Sequence, residues 1–304
     1  MSTLNTGTRP AKAATTRARR QGTTGGRWWR EVSWRYLVAL VMIAICVLPL
    51  LYVLSAALNP GGTLVGSNDL FRTVSGDNFA ALADRGFWGW LRNSLVVCTF
   101  TAVGTVLMGA AAAYAFSRFR FQGREKGLTG LLLAQMFPQT LAFVAIFLLL
   151  LTLKDVFPVL GLDSLIGLIC VYLGGALGVN TFLMYGFFNT VPRELDEAAK
   201  IDGASHAQIF WTIVLRLVTP ILAVVGLLSF ISSFGDFLIA KVVLQHQDNW
   251  TVAVGLYSMA ADERTAPWGL FAAGAVVAAV PIVLLFLFLQ KYVVGGLTAG
   301  SVKG

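Results

Sequence analysis

Residues 190–208 read Thr190-Val191-Pro192-Arg193-Glu194-Leu195-Asp196-Glu197-Ala198-Ala199-Lys200-Ile201-Asp202-Gly203-Ala204-Ser205-His206-Ala207-Gln208, a polar insert between two strongly apolar segments. Pro192 fits the first turn of a helix. Glu194, Asp196 and Glu197 follow at once, where the positive end of the helix dipole favours acids. Gly203 is placed to stop the helix in a left-handed conformation. Ser205 and Gln208 then have the spacing of a capping box, which starts a second helix through Ile209, Trp211 and Ile213. The pattern predicts helix, sharp turn, helix, with the first helix and its turn over residues 191–204. Ala198 and Ala199 leave one face without bulk, so a partner can approach closely. Turn residues alone would join two membrane spans, and a structured knob argues that something grips it. An amphipathic interfacial helix that merely seats the loop is the competing reading of the same residues.

The flanks fix the class. The 304 residues are 57% hydrophobic and 12% charged, against roughly 25% charged in average soluble domains, and the mean hydropathy is +0.74. This is an all-α polytopic membrane protein. Residues 36–58 are apolar and long enough to span a bilayer with some tilt, about 35 Å at 1.5 Å per residue. They are too long for the apolar core of a signal peptide. Five further spans are expected over 93–116, 128–151, 166–188, 218–240 and 270–290. Gly104, Gly109 and the alanines 110–113 suit close helix packing in the second. Pro138, Pro220 and Pro281 fall in or at the third, fifth and sixth. The expected organisation is a disordered basic arm (1–35), a first span (36–58), an external loop (59–92), a core of five spans with the knob (93–290) and a C-terminal tail (291–304).

Charge sets the orientation. Of 23 basic residues, Arg72, Arg85, Arg92, Lys154, Lys241 and Arg264 fall on one side of this six-span topology and the other 17 on the side of both termini. Basic residues mark the cytoplasmic side, so the termini and the knob are expected there. Trp28, Trp29, Trp34, Trp88, Trp90 and Trp268 stand at span ends, as amphipathic rings do at headgroup level. The net charge of +8 is spread over the arm and the span ends, which argues against nucleic acid. Membrane lipid is the surrounding phase.

No residues are placed for catalysis. The chain has no phosphate-cradling G-x-x-x-x-G-K-[ST] loop and no H-E-x-x-H helix. His206 and His246 fall on opposite sides of the membrane. Cys46, Cys98 and Cys170 lie in apolar runs without metal-ligand spacing and are expected to be buried free thiols. No metal or cofactor is expected, and an enzyme is excluded. Asp236, near the outer end of the fifth span, is the main intramembrane ionisable group. It is either functional or a hydrogen-bonded end-of-span residue. Phe230, Phe234 and Asn93 could serve a sugar, although core packing explains the aromatic pair better, and no substrate-binding residue is assigned.

Glu197-Ala198-Ala199, Gly203, Ile213 and Leu215 have the order and spacing of the EAA signature, and the chain resembles the permeases of ABC importers. That family usually has proline after the leucine, where this chain has Arg216, with Pro220 four residues on. Ser117-Arg118-Phe119-Arg120-Phe121-Gln122-Gly123, Gln135-Met136-Phe137-Pro138, Ala253-Val254-Gly255, Trp268-Gly269 and the tail 296–304 are similar to the smaller permease subunit of maltose/maltodextrin importers. The resemblance runs from Tyr36 to the end. It implies the type I importer fold with six spans, in the bacterial plasma (inner) membrane. It implies that Glu197, Ala198, Ala199, Asp202, Gly203 and Ile213 couple the chain to an ATPase, and that Gly300, Ser301, Val302, Lys303 and Gly304 reach into the ATPase dimer. The implied partners are a homologous larger permease, two ATPase subunits and an external sugar-binding protein, which touches the loop over 241–267. The expected function is ATP-driven import of a maltodextrin-like sugar by alternating access. Import of another solute (trehalose, another oligosaccharide, glycerol phosphate) by the same machinery, an ion-coupled carrier and a membrane scaffold are the alternatives.

Overall fold

The structure is a computed structural model that describes residues 32–60, 70–261 and 266–299. The basic arm up to residue 31 and the terminal residues 300–304 lie outside the described residues. In chain order the helices are α1 (Ser33–Leu58), α2 (Asp77–Ala81), α3 (Phe87–Arg118), α4 (Arg124–Gln135), α5 (Phe143–Val156), α6 (Leu165–Phe188), α7 (Arg193–Ile201), α8 (His206–Leu217), α9 (Thr219–Gly235), α10 (Leu238–Val243), α11 (Val252–Ala260) and α12 (Trp268–Ala299). No β-strand occurs among the described residues. Every backbone hydrogen bond of a spanning segment must be met inside the membrane, and a helix meets them within its own segment.

The described residues up to Leu51 form a unit by themselves. There α1 is apolar around its whole circumference and exposed, as a helix in lipid is. The second unit, from Tyr52 onward, carries the functional elements. Its centre is the pairing of α3 with α6. A Cβ on Gly104 would stand 2.6 Å from Leu173, and one on Gly109 would stand 3.2 Å from the Met184 sulfur. Small residues on α3 therefore receive large ones from α6. Lipid tails are as apolar as leucine, so this close packing, not water exclusion, holds the two helices together. Helix α9 also packs on α3, where the Ser229 hydroxyl donates to Thr105 at 3.1 Å.

Two expected spans are not single helices. The third is delivered as α4 and α5, parted at Met136–Pro138 and a short 3₁₀ turn, Gln139–Ala142. Pro138 has no N–H and disfavours helix in the residue before it. The fifth ends at Gly235. The chain turns at Asp236, and α10 starts two residues later. The sixth runs unbroken through Pro281. Among the described residues four helices are long and apolar enough to cross a membrane, or five with the bent pair α8–α9. One thiol expectation changes as well. Cys98 is buried, whereas Cys46 and Cys170 are exposed, because lipid takes the place of a core around the outer helix faces.

The end of the bundle opposite α7 is tied by polar contacts. Buried Asn93 donates to the Asp248 and Trp250 carbonyls at 2.8 and 3.1 Å. The Ser94 hydroxyl accepts from Val252 N–H at 2.8 Å. Phe230 and Phe234 stack on each other in the core, ring centroids 5.8 Å apart. Asn93 and both rings are thus structural. Asp163, at φ 64, accepts from the backbone N–H groups of Gln245 and His246 at 2.9 and 3.0 Å and pairs with the His246 ring. Burial pushes the Asp163 carboxyl up, but the bonds from His246 and Gln245 outweigh it and hold the group below the usual carboxylate value.

Gly255 sits against the ring of Trp90, which is buried and leaves no room for a Cβ. Gly255→Ala is expected to force that ring aside at a cost of about 1–3 kcal/mol. A lower thermal unfolding midpoint of the purified protein would report it, and an unchanged midpoint would contradict it.

Candidate functional site

The knob is built as its residues dictate. Pro192, at φ −57 and ψ 135, stands just outside α7, which starts one residue later. At the other end Gly203 takes φ +85. Its N–H donates to Lys200 C=O at 3.0 Å, and Ala204 N–H donates to Ala199 C=O at 2.9 Å. These two bonds form a Schellman stop, with Ala199 and Ala204 both packed on the core beneath. Ser205 and Gln208 then cap α8 reciprocally, at 3.3 and 2.7 Å. Within α8 the turns Ile209–Val214 widen into a π-helix, a form frequent at functional sites. Between α8 and α9 the chain bends by 81°. Val218, at φ −96 and ψ 9, forms the corner, and Pro220 lies in the first turn of α9. The bend is therefore present with Arg216 in place of the family proline. The N–H that Pro220 lacks is one that a first turn leaves unbonded anyway.

Glu197, Ala198, Asp202 and Gly203 are exposed, while Ala199 and Ile213 are half-buried. Ile201 is 88% exposed and Leu195 42%, so the polar helix carries apolar side chains on its outer surface. The inner side is filled. Asp196 is 6% exposed, and its Oδ2 lies 2.6 Å from Nε of Arg118, at the end of α3. Sequence reasoning grouped Asp196 with Glu194 and Glu197 as acids at a helix start. The fold separates them, sending Asp196 inward and leaving the other two outside.

Arg118 anchors more than Asp196. Its Nη2 donates to Val191 C=O at 3.0 Å and its Nη1 to Ser117 Oγ at 3.2 Å. The Ser117 hydroxyl donates to Asn189 Oδ1 at 2.8 Å. Arg193, the first residue of α7, returns to Ser117 C=O at 2.7 Å, where a cation suits the last turn of α3. The Nε contact with Asp196 is close but off the N–H axis, and Asp196 Oδ1 has no hydrogen-bond partner. The contact is an ion pair held by proximity. Beside it the rings of Tyr114, Phe119, His206 and Phe210 meet at centroid distances of 5.0–5.8 Å. Helices α7 and α8 are thereby fixed to α3 and to the base of α6.

None of the sequence-predicted coupling residues makes this anchorage. It consists of Ser117, Arg118, Asn189, Arg193 and Asp196, which sequence reasoning missed as a set. The one available signal was an arginine ending an apolar span beside a serine, in the stretch 117–123. Asp236 has a structural task. Its Oδ1 accepts from Ile239 and Ala240 N–H at 3.0 and 3.2 Å and from the Tyr172 hydroxyl at 3.0 Å, and so it caps α10. No cluster of metal-ligating side chains occurs among the described residues.

Residues 105–298 match the family described as binding-protein-dependent transport system inner membrane component. The chain is 41% identical over 270 residues to the maltodextrin transport system permease protein MdxG of Bacillus subtilis (strain 168), covering 88% of this chain and 95% of that one. It is 39% identical over 274 residues to the galactooligosaccharides transport system permease protein GanQ of the same organism, covering 88% and 94%. It is 38% identical over 289 residues to the maltose/maltodextrin transport system permease protein MalG of Photorhabdus laumondii, covering 91% and 97%. A crystal structure of a bacterial ABC transporter involved in the import of the acidic polysaccharide alginate superposes with a TM-score of 0.73 at 24% identity. That match covers 88% of this chain and 98% of the alginate transporter chain, and it shows a shared fold.

Proposed function

Because this chain belongs to the binding-protein-dependent transport system inner membrane components, we propose how it works: as the permease subunit that takes up ATPase motion through α7 and admits a maltodextrin-like sugar. It is a membrane-spanning permease subunit of a sugar importer of the ABC class, and not an enzyme. The carrying observation is the knob. A polar helix with an exposed outer face is fixed at its root to α3 and followed by α8, which meets α9 at an 81° elbow.

The outer face of α7, with Glu197, Ala198, Asp202 and Gly203, seats in a groove of a separate ATPase subunit. Ala199 and Ile213 support it from behind. Two such ATPases serve this chain and a homologous larger permease, and the tail Gly300–Gly304 reaches between them. The knob and both termini are cytoplasmic, as the charge asymmetry supports. An external sugar-binding protein docks on the opposite end. Closure of the ATPase dimer pushes α7, and the anchorage at Arg118 carries the push to α3 and α9. Moving a two-state equilibrium from 1:99 to 99:1 takes about 5.5 kcal/mol of differential binding. A helix fixed at its root can transmit such a bias, and a free loop cannot.

The relatives support a neutral oligosaccharide, with maltodextrin ahead of galactooligosaccharide. Proteoliposomes containing the complete transporter are expected to accumulate labelled maltotriose only with internal ATP and the binding protein. Accumulation by this chain and its partner permease alone, driven by an ion gradient, would refute the reading.

A further inference from the structure

An α-helix bonds each N–H to the carbonyl four residues back. Helix α6 runs unbroken past its glycines, yet one such pair is engaged from outside. Val179 N–H donates to Gln135 Oε1 at 3.0 Å, and Gly175 C=O accepts from Gln135 Nε2 at 2.6 Å. Residues 175 and 179 are the two ends of one rung of the ladder. A single side-chain amide, on the last residue of α4, takes both. The next carbonyl, that of Ala176, accepts from Asn180 Nδ2 at 2.8 Å. A side chain inserted into the ladder is one of the few causes of sharp bending in helices. Gly174, Gly175 and Gly178 also make this turn a poor helix former.

Lipid tails offer no partner to an opened rung, so a substitute must carry both a donor and an acceptor. Among side chains a primary amide supplies the two on one carbon. The site leaves room for it: a Cβ on Gly178 would stand 2.5 Å from Gln135 Cγ and 2.7 Å from Leu131 C=O. The start of α4 is tied to α6 as well. Arg124 Nη2 donates to the Tyr185 hydroxyl at 2.6 Å, and the Arg124 Cζ lies 5.5 Å from that ring's centroid. Helix α4 is thus bound at both ends to the half of α6 that leads into the knob. Directly after Gln135 the third span breaks, and α5 packs on α10 instead. The outer half of α6 also packs on α10.

We propose that Gln135 is a positioning residue for transport, whose amide clips the 175–179 rung so that α6 hinges there. The half of α6 beside α4 moves with the knob, and the outer half stays with α5 and α10. The amide rides on a flexible side chain and follows the rung as it widens, so α6 bends without orphaning either backbone group. Without the amide, Val179 N–H and Gly175 C=O bond only each other, and α6 is stiff. The proposal rests on the reading that ATPase closure pushes α7.

Gln135→Met and Gln135→Glu test the clip in the complete transporter. Methionine keeps the length of the side chain and removes both bonds. Glutamate keeps the acceptor, loses the donor and sets an oxygen against Gly175 C=O. Three quantities are measured: ATP-driven maltotriose uptake in proteoliposomes, the thermal midpoint, and hydrogen exchange of amides 176–182 with and without bound ATP. In the wild type this exchange is expected to differ about tenfold between the two states, as local opening allows. In Gln135→Met it is expected to be slow in both. Uptake is expected to fall about tenfold in both variants, with the midpoint of Gln135→Met unchanged, because the rung closes on itself. Wild-type uptake in Gln135→Met overturns the hinge. A lowered midpoint, with uptake reduced only in proportion to the folded protein, makes Gln135 a packing residue and overturns it too. Uptake by the wild type without ATP refutes the drive through α7. ATP-dependent uptake with identical exchange in both states refutes the hinge alone.

Discussion

Gly203→Asp is expected to lower ATP-driven uptake at least tenfold while the protein still folds and inserts. At φ +85 a residue with a Cβ is strained, aspartate less than most and by about 1 kcal/mol. A Cβ there would meet nothing within 4 Å, so no core is disturbed and the strain falls on the turn that sets α7 against α8. The new carboxylate also stands beside exposed Asp202, on the face proposed to enter the ATPase groove. A 1.4 kcal/mol change in docking is already tenfold in the dissociation constant, and misplacement of the helix adds to it. Glu197→Lys reverses a charge on the same face with little effect on the helix itself and should act alike. Uptake by proteoliposomes and co-purification of the ATPase check both. Wild-type transport with intact assembly in either variant would remove the coupling role from α7.

Breaking the Arg118–Asp196 pair should cost more stability than any change on the outer face of the knob. The two side chains are 5% and 8% exposed. Arg118→Ala leaves a buried carboxylate without its counter-charge, and losses of that kind run to about 3–5 kcal/mol. It also frees Val191 C=O and Ser117 Oγ. Replacing both partners, as in Arg118→Met with Asp196→Leu, removes the buried charge altogether and is expected to recover much of the loss. Thermal unfolding of wild type, both single variants and the double variant forms a cycle that isolates the pair. The double variant should also keep ATPase binding, because the outer face of α7 is untouched, yet transmit motion poorly through its loosened root. A loss in the double variant equal to the sum of the two single losses would show that the pair does not hold α7 to α3.

How far the sequence carries depends on how local the determinant is. Helix stop and start at Gly203 and Ser205 were legible because a Schellman turn and a capping box each lie within about six residues. The break at Pro138 was visible only as a proline near the centre of an apolar run. Whether proline bends a membrane helix or divides it depends on neighbours that re-satisfy the freed carbonyls. Arg216 illustrates the reverse. It departs from the family pattern just before the elbow, and Val218 with Pro220 makes the bend regardless.

The sequence by itself determined the class, the apolar segments and the polar knob, since hydropathy, charge asymmetry and cap residues act over one segment at a time. Tertiary structure alone decided that Asp196 turns inward to Arg118, that Gly104 and Gly109 receive Leu173 and Met184, and that Gln135 bonds both Gly175 and Val179. Each of those pairings joins residues from different helices. Lipid gives no general hydrophobic pull to predict which helices meet, so partner choice rests on close packing and on a few buried polar groups that only the assembled bundle brings together.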